Sequence, residues 1–137
     1  MVIKVAELFA GVGGFRLGFE GLPLGPRNDS FKVVWSNQWE PSTKKQHATE
    51  VYVKQWNMIP TEWDSEVYIC KDDENDVHVN KDISTISADS IPDFDLLCGG
   101  FPCQDYSVAK TANKATGIQG KKGVLWWEIR RIVEAKK

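Results

Sequence analysis

Val2-Ile3-Lys4-Val5-Ala6-Glu7-Leu8-Phe9-Ala10-Gly11-Val12-Gly13-Gly14 opens the chain as a short, β-branched, largely apolar run that breaks at once into glycine. A run of this length, bounded by punctuating residues, fits a buried parallel strand better than a helix. Phe15-Arg16-Leu17-Gly18-Phe19-Glu20 follows with apolar residues spaced for a short helix that stops near Gly21. Strand, glycine turn and helix start together make a nucleotide-type cradle, because glycine admits close backbone approach and the first helical amides have no partner inside the helix. The dinucleotide fingerprint is not completed, since Arg16 stands where its last glycine belongs, and an NAD site is disfavoured. Glu7 ends the strand, where a carboxylate meets either water or a cationic group of a ligand.

The pattern then repeats. Phe31-Lys32-Val33-Val34-Trp35-Ser36 reads as a second strand, and Pro41, favoured at the first helical position, opens a helix expected to run to about Val53. Between them, Asn37-Gln38-Trp39-Glu40 lies at the carboxyl end of the strand, where open α/β sheets bind the ribose and base of a nucleotide. Glu40 or Gln38 suits ribose hydroxyls, and Trp39 suits either a purine face or the core. Lys44, Lys45 and His47 read as a solvated helix face. Residues 54–76 carry no assignable chemistry; Trp56 and Trp63 read as packed, and Asp72-Asp73-Glu74-Asn75-Asp76 as a polar turn or loop. Val77-His78-Val79-Asn80 is a brief third strand, with His78 a structural residue. Asp82 at its end is expected to face the same ligand edge as Glu40.

Ile91-Pro92-Asp93-Phe94-Asp95-Leu96-Leu97-Cys98 reads as a fourth strand, and Gly99-Gly100-Phe101-Pro102-Cys103-Gln104-Asp105-Tyr106-Ser107 follows it. Two glycines allow a sharp turn, and Pro102 restricts both itself and Phe101, so the Cys103 thiol is presented in few directions. Cys103 is the candidate nucleophile. The strand delivers it to the same end of the sheet as Gly11 to Gly14. Residues 104–122 read as a basic lid rich in small residues. From Gly123 to Val133, apolar residues at helical spacing predict an amphipathic helix whose tryptophans, Trp126 and Trp127, pack in the core.

A chain of 137 residues, 42% hydrophobic, holds one core. Its three cysteines lack metal-ligand spacing, no secretory signal pattern is present, and a reducing, cytoplasmic setting is expected. No apolar run approaches the roughly 20 residues needed to cross a bilayer, so no membrane partner is expected. Charge is divided unevenly: residues 1–102 hold 9 Lys/Arg against 16 Asp/Glu, whereas residues 103–137 hold 8 against 3. An acidic body with a basic end suits a nucleic acid docking beside Cys103.

Taken together, Glu7 to Gly18, Ser36 to Glu40 and Gly99 to Ser107 closely resemble, in order and spacing, the DNA (cytosine-5)-methyltransferase family of bacterial restriction-modification type. The likeness covers nearly the whole chain. It implies a doubly wound, Rossmann-like α/β sheet that binds S-adenosyl-L-methionine, and double-stranded DNA as partner. It also implies that the Cys103 thiolate attacks C6 of a flipped-out cytosine so that C5 takes the methyl group. By the same resemblance Phe9, Gly11 and Gly13 line the methionine side of the cofactor. Trp39 stacks on adenine, an acidic group near Glu40 holds the ribose, Asp82 and Ile83 contact the adenine ring, and Leu125 helps wall the site.

Two positions depart from the family: Glu7 stands where Asp is usual, a conservative change at what the resemblance implies is the amino end of the methionine, and Gln38 where many members have a ribose-binding Glu. The family's Glu-Asn-Val strand, its arginine motif, its target-recognition region and its C-terminal helix are not among these residues. The chain is therefore expected to be the N-terminal part of the catalytic domain, with the sheet truncated before its last strands and no useful methylation by itself. The alternatives are a non-catalytic cofactor-binding subunit that pairs with a second polypeptide, and a tRNA cytosine-5 methyltransferase relative.

Overall fold

The computed structural model describes residues 1–100 and 125–137; the Cys103 loop and the basic stretch 104–122 lie outside the described residues. The opening run forms β1 (Ile3–Leu8), and the glycine turn leads into α1 (Gly14–Glu20), which stops at Gly21. Then come β2 (Phe31–Asn37), α2 (His47–Gln55), β3 (Met58–Pro60), β4 (Val67–Cys70), β5 (Asp73–Val79), β6 (Leu96–Gly99) and α3 (Leu125–Ala135). Short 3₁₀ turns at Ile83–Thr85 and Ala88–Ser90 fill the connection between β5 and β6.

Among the described residues the strands make one six-stranded sheet in the order β3-β4-β5-β2-β1-β6. The pairs β5·β2, β2·β1 and β1·β6 are parallel, and β3 and β4 are antiparallel additions at one edge. From β1 the chain builds outward through β2 to β5, then returns to place β6 on the other side of β1. The direction of winding therefore reverses between β1 and β6, and ligands of open α/β sheets bind outside the strand ends at such a reversal.

Alternation along β1 separates two faces. Ala6 and Leu8 join Val34, Trp35, Ile83, Ile86, Ile91 and Ile132 of α3 in one core cluster. Glu7 points the other way, toward Tyr52 of α2, on the face where Ala10, Tyr52, Trp56 and Met58 form a second cluster. Helices thus cover both faces, giving the doubly wound, Rossmann-like α/β arrangement expected. No helix of the described residues is long and apolar enough to cross a membrane.

Several local expectations are corrected. The second helix begins at His47, not Pro41, because the Gln46 side chain folds back and donates to the carbonyls of Glu40 (2.8 Å) and Thr43 (2.9 Å). That loop replaces the first helical turn. Residues 54–76 are not featureless: they form β3, β4 and the start of β5. The acidic stretch enters a strand because Lys32 pairs with Asp73 and Arg16 with Asp76, which neutralises charges that otherwise favour a solvated turn. The fourth strand is shorter than expected, with Ile91 in the core under a 3₁₀ turn and pairing confined to Leu96–Gly99. Trp63 is fully exposed, whereas Trp56 is buried. Trp126 and Trp127 lie on the outer side of α3, because Leu125, Ile129 and Ile132 take its inward stripe. The Trp127 ring instead carries the Arg130 guanidinium at 5.7 Å.

Candidate functional site

Four parallel strands end on one edge of the sheet, and each is followed by residues singled out from sequence. β1 is followed by Phe9 to Gly13, β2 by Gln38 to Glu40, β5 by Asp82 and Ile83, and β6 by Gly100, where added side-chain atoms would lie 3.5 Å from the Phe15 ring of α1. The first three of these segments are fastened to one another. The Gly11 amide donates to Gln38 Oε1 at 2.8 Å and the Ala10 amide to the Asn37 carbonyl at 3.0 Å. The Asn37 side chain donates to the carbonyls of Val79 (2.9 Å) and Lys81 (2.8 Å). Asn80 donates to the Gln38 carbonyl at 2.7 Å, and also to Gln46 and Thr49. The ends of β1, β2 and β5 are therefore held as one unit, chiefly by side-chain amides.

The turn after β1 is conformationally unusual. Phe9 has φ 52, a left-handed conformation costly for a bulky residue and concentrated at functional sites. Gly11 (φ 57) and Gly13 (φ 93) share that region but differ in surroundings. A Cβ at Gly11 would meet nothing within 4 Å, whereas one at Gly13 would lie 2.2 Å from the Trp56 ring and 3.1 Å from Tyr52. Among the described residues Gly11 thus opens onto empty space at the strand ends, and Gly13 rests on α2. Gly11→Ala is expected to cost only the left-handed strain, about 1–2 kcal/mol. Gly13→Ala, which must also displace two buried aromatic rings, is expected to cost several times that, and urea unfolding of the two variants measures the contrast.

Each remaining candidate among the described residues has a definite position. Trp39 is exposed, two residues beyond the end of β2. Glu40 is half-buried; its Oε2 accepts from the Ala48 amide in the first turn of α2 at 3.3 Å, and its own amide donates to Gln46. Asp82 Oδ1 accepts from the Ser84 amide at 2.9 Å and the Ser84 hydroxyl at 2.8 Å, which starts the 3₁₀ turn. The Ile83 side chain is buried in the first cluster, and Leu125 packs against that same cluster. Cys103 lies outside the described residues.

Under this edge sits a buried polar network absent from the sequence reading. Arg16, 3% exposed, donates to Glu20 (3.1 Å), to the Tyr52 hydroxyl (3.3 Å) and to both oxygens of Asp76. Glu20 in turn accepts from the Val33 amide at 2.6 Å and from Arg27. His78 lies between Ser36 (2.8 Å) and Thr49 (3.1 Å) and stacks on Tyr52. Burial, with the Arg16 charge adding to it, holds its pKa down to about 3, so the ring is neutral. Glu7 is fully buried, and burial raises its carboxyl from 4.5 to about 7 against the opposing Tyr52 hydroxyl and Arg16 charge. Burial, then the Glu7 charge, pushes the Cys98 thiol up to about 12, so Cys98 is an inert thiol. Two periodicities do signal the network: Arg16 and Glu20 at i,i+4, and Asp76, His78 and Asn80 alternating along one side of a strand.

The sequence matches the model of the family described as C-5 cytosine-specific DNA methylase over residues 3–137. It is 47% identical over 134 residues to type II methyltransferase M.Sau3AI of Staphylococcus aureus, an alignment covering 96% of this chain and 27% of that protein. It is 32% identical over 135 residues to type II methyltransferase M.HhaI of Haemophilus parahaemolyticus (98% of this chain, 31% of that protein). It is 34% identical over 134 residues to type II methyltransferase M.HaeII of Haemophilus aegyptius (98% and 31%). The chain spans between 27% and 31% of the length of these relatives.

Proposed function

The chain belongs to the C-5 cytosine-specific DNA methylase family, and from that premise we propose that it supplies the cofactor cradle and the nucleophile of an enzyme that methylates C5 of cytosine in double-stranded DNA. The observation that carries this reading is the meeting of four strand ends at one edge, with the Gly11 turn fastened to Gln38 and β6, paired with β1, ending there at Gly99, four positions before Cys103 in the sequence.

The residues fit S-adenosyl-L-methionine. Space lies open beside Gly11, an aromatic face is exposed at Trp39, and carboxylates stand at Glu40 and Asp82. Phe9, Gly11 and Gly13 would hold the methionine portion, Trp39 the adenine face, Asp82 and Ile83 the adenine ring edge, with Leu125 as a wall. The ribose falls to Glu40, because the acceptor oxygen of Gln38 is spent on the Gly11 amide. With its side chain buried, Ile83 would make its contact through the main chain. When bound, this cofactor supplies an electrophilic methyl group.

The chain's own chemistry lies in Cys103. C5 of cytosine is a weak nucleophile, and addition of a thiolate to C6 of the extruded base directs an electron pair to C5. After methylation, loss of the C5 proton expels the thiolate and restores the ring. Cys98 does not compete for this role, its thiol being held protonated. The basic residues beyond position 103 suit contact with the phosphate backbone.

Calorimetric titration of the 137-residue chain with S-adenosyl-L-methionine tests the cradle. Saturable binding is expected, weakened about tenfold or more by Asp82→Ala, the equivalent of about 1.4 kcal/mol. A folded chain, judged by circular dichroism, that takes up no cofactor counts against the reading. Spanning under a third of its relatives' length, the chain alone is expected to bind cofactor without turning over.

A further inference from the structure

Two side-chain amides beside Glu40 take no part in the cofactor reading. Gln46 immediately precedes α2, at the position where short polar side chains ordinarily cap a helix. Its side chain makes no such cap. Instead its Oε1 accepts from the Glu40 amide at 2.8 Å, and its Nε2 donates to the carbonyls of Glu40 (2.8 Å) and Thr43 (2.9 Å). One side chain thus bonds both main-chain polar groups of a single residue, as a paired strand would. The cap that Gln46 withholds comes from Glu40, whose Oε2 accepts from the Ala48 amide at 3.3 Å. Residues 40 and 46 therefore hold each other.

Asn80, 8% exposed, ties this clasp to the sheet. Its Nδ2 lies 2.7 Å from the Gln38 carbonyl, 3.0 Å from the Thr49 hydroxyl and 3.1 Å from Gln46 Oε1. Its own amide donates to the Glu66 carbonyl at 2.7 Å, just ahead of β4. Asn80 thus fixes the residue before Trp39, Gln46 fixes the residue after it, and the two amides bond to each other. Residues 41–45 are all exposed, so this segment owes its shape to hydrogen bonds more than to packing. A contact segment that is already ordered avoids the entropy cost of ordering when its ligand arrives.

We propose that Gln46, anchored by Asn80, is a positioning residue for Glu40 and sets how strongly the site recognises the ribose hydroxyls of S-adenosyl-L-methionine. This inference rests on the reading of Glu40 as the ribose partner. Without the Gln46 side chain, the amide and carbonyl of Glu40 turn to water, which reaches this exposed loop. The fold persists, and the carboxylate loses its fixed direction. Asn80 is the less informative site to substitute, because its loss leaves the buried Thr49 hydroxyl and the Gln38 carbonyl without that donor.

The test is calorimetric titration of the 137-residue chain with S-adenosyl-L-homocysteine and with its counterpart lacking both ribose hydroxyls, for wild type, Gln46→Ala, Glu40→Ala and the double variant. Wild type is expected to prefer the hydroxylated ligand by about tenfold or more, as for hydrogen bonds to a charged group. Gln46→Ala reduces that preference to within about threefold, chiefly by weakening the hydroxylated ligand. Glu40→Ala abolishes it, and adding Gln46→Ala to Glu40→Ala changes the preference no further, because the first residue acts through the second. A general loosening of the chain would weaken both ligands alike and leave the preference intact. In NMR spectra of the wild type, the Gln46 side-chain amide signals shift on addition of the hydroxylated ligand and far less with its counterpart.

A wild-type preference retained in Gln46→Ala, additive effects in the double variant, or equal Gln46 shifts with both ligands overturns the inference and leaves the cofactor reading intact. A preference retained in Glu40→Ala removes the ribose role of Glu40 and this inference with it. A wild-type chain that binds neither ligand overturns the cofactor reading itself. The NMR comparison needs no substitution and decides the matter even if a variant does not fold.

Discussion

Replacing Arg16 with methionine is expected to cost the chain about 3–5 kcal/mol at neutral pH, as when one partner is removed from a buried ion pair. Set against a total stability of about 5–15 kcal/mol for a domain, this leaves a large unfolded fraction. Methionine can fill much of the volume under Trp56 and Tyr52, so the loss is chiefly electrostatic. Asp76 would be buried without its cation, Glu20 would be left with Arg27 alone as its cation, and Tyr52 would lose a donor. The sign of the pH dependence separates this cause from a packing defect. Burial already raises the Asp76 carboxyl in spite of Arg16, and removing the cation raises it further. A raised acid is penalised at high pH and relieved at low pH, so part of the lost stability returns as pH falls toward about 5. Urea unfolding of the variant at both pH values shows this recovery, and a second substitution, Asp76→Asn, reproduces it at neutral pH. A penalty that is the same at both values would assign the loss to packing.

Cys103→Ala has the larger effect on chemistry. In an enzyme completed to the length of its relatives, turnover is expected to fall by at least about 10⁴-fold, the scale seen when a covalent nucleophile is removed. Cofactor affinity is expected to stay nearly unchanged, since the cradle is built from other residues at the strand ends. Single-turnover transfer of labelled methyl groups to duplex DNA measures the first quantity and calorimetry the second. Survival of turnover would remove Cys103 from the mechanism. Labelling of tRNA but not of DNA by the unsubstituted enzyme would move the substrate to RNA.

Why some of this was legible in the amino-acid sequence and some was not depends on how far each determinant lies along the chain. β1, the glycine turn and α1 are encoded by adjacent residues, and so is β2; local patterning suffices for them. The start of α2 depends on Gln46 folding back on Glu40, a side-chain choice that helix propensity does not register. The acidic residues of β5 look like a turn until their partners are known, and those partners, Lys32 and Arg16, are 41 and 60 positions away. Trp126 and Trp127 match a helical period, but which arc of the helix turns inward is fixed by Leu125, Ile129 and Ile132 meeting the sheet. At the site, the motif positions were readable because the topology takes every parallel strand end to one edge. The engagement of Gln38 Oε1 by the Gly11 amide was not, since it is one hydrogen bond between residues 27 positions apart.

The pairing of β1 bears on how the protein is made. On one side β1 pairs with β2, which follows after a short helix, but on its other side it waits for β6; Lys4 bonds to Asp95, 91 positions later. During synthesis at about 5–20 residues per second, β1 and its glycine turn are out of the ribosome for several seconds with one edge bare. Contacts of such long sequence separation are slow to close and expose strand edges to other chains meanwhile. The part of the sheet edge built on β1 and β2 thus exists before β6 has been translated, and a nascent chain arrested before Gly99 presents β1 as an open edge to chaperones.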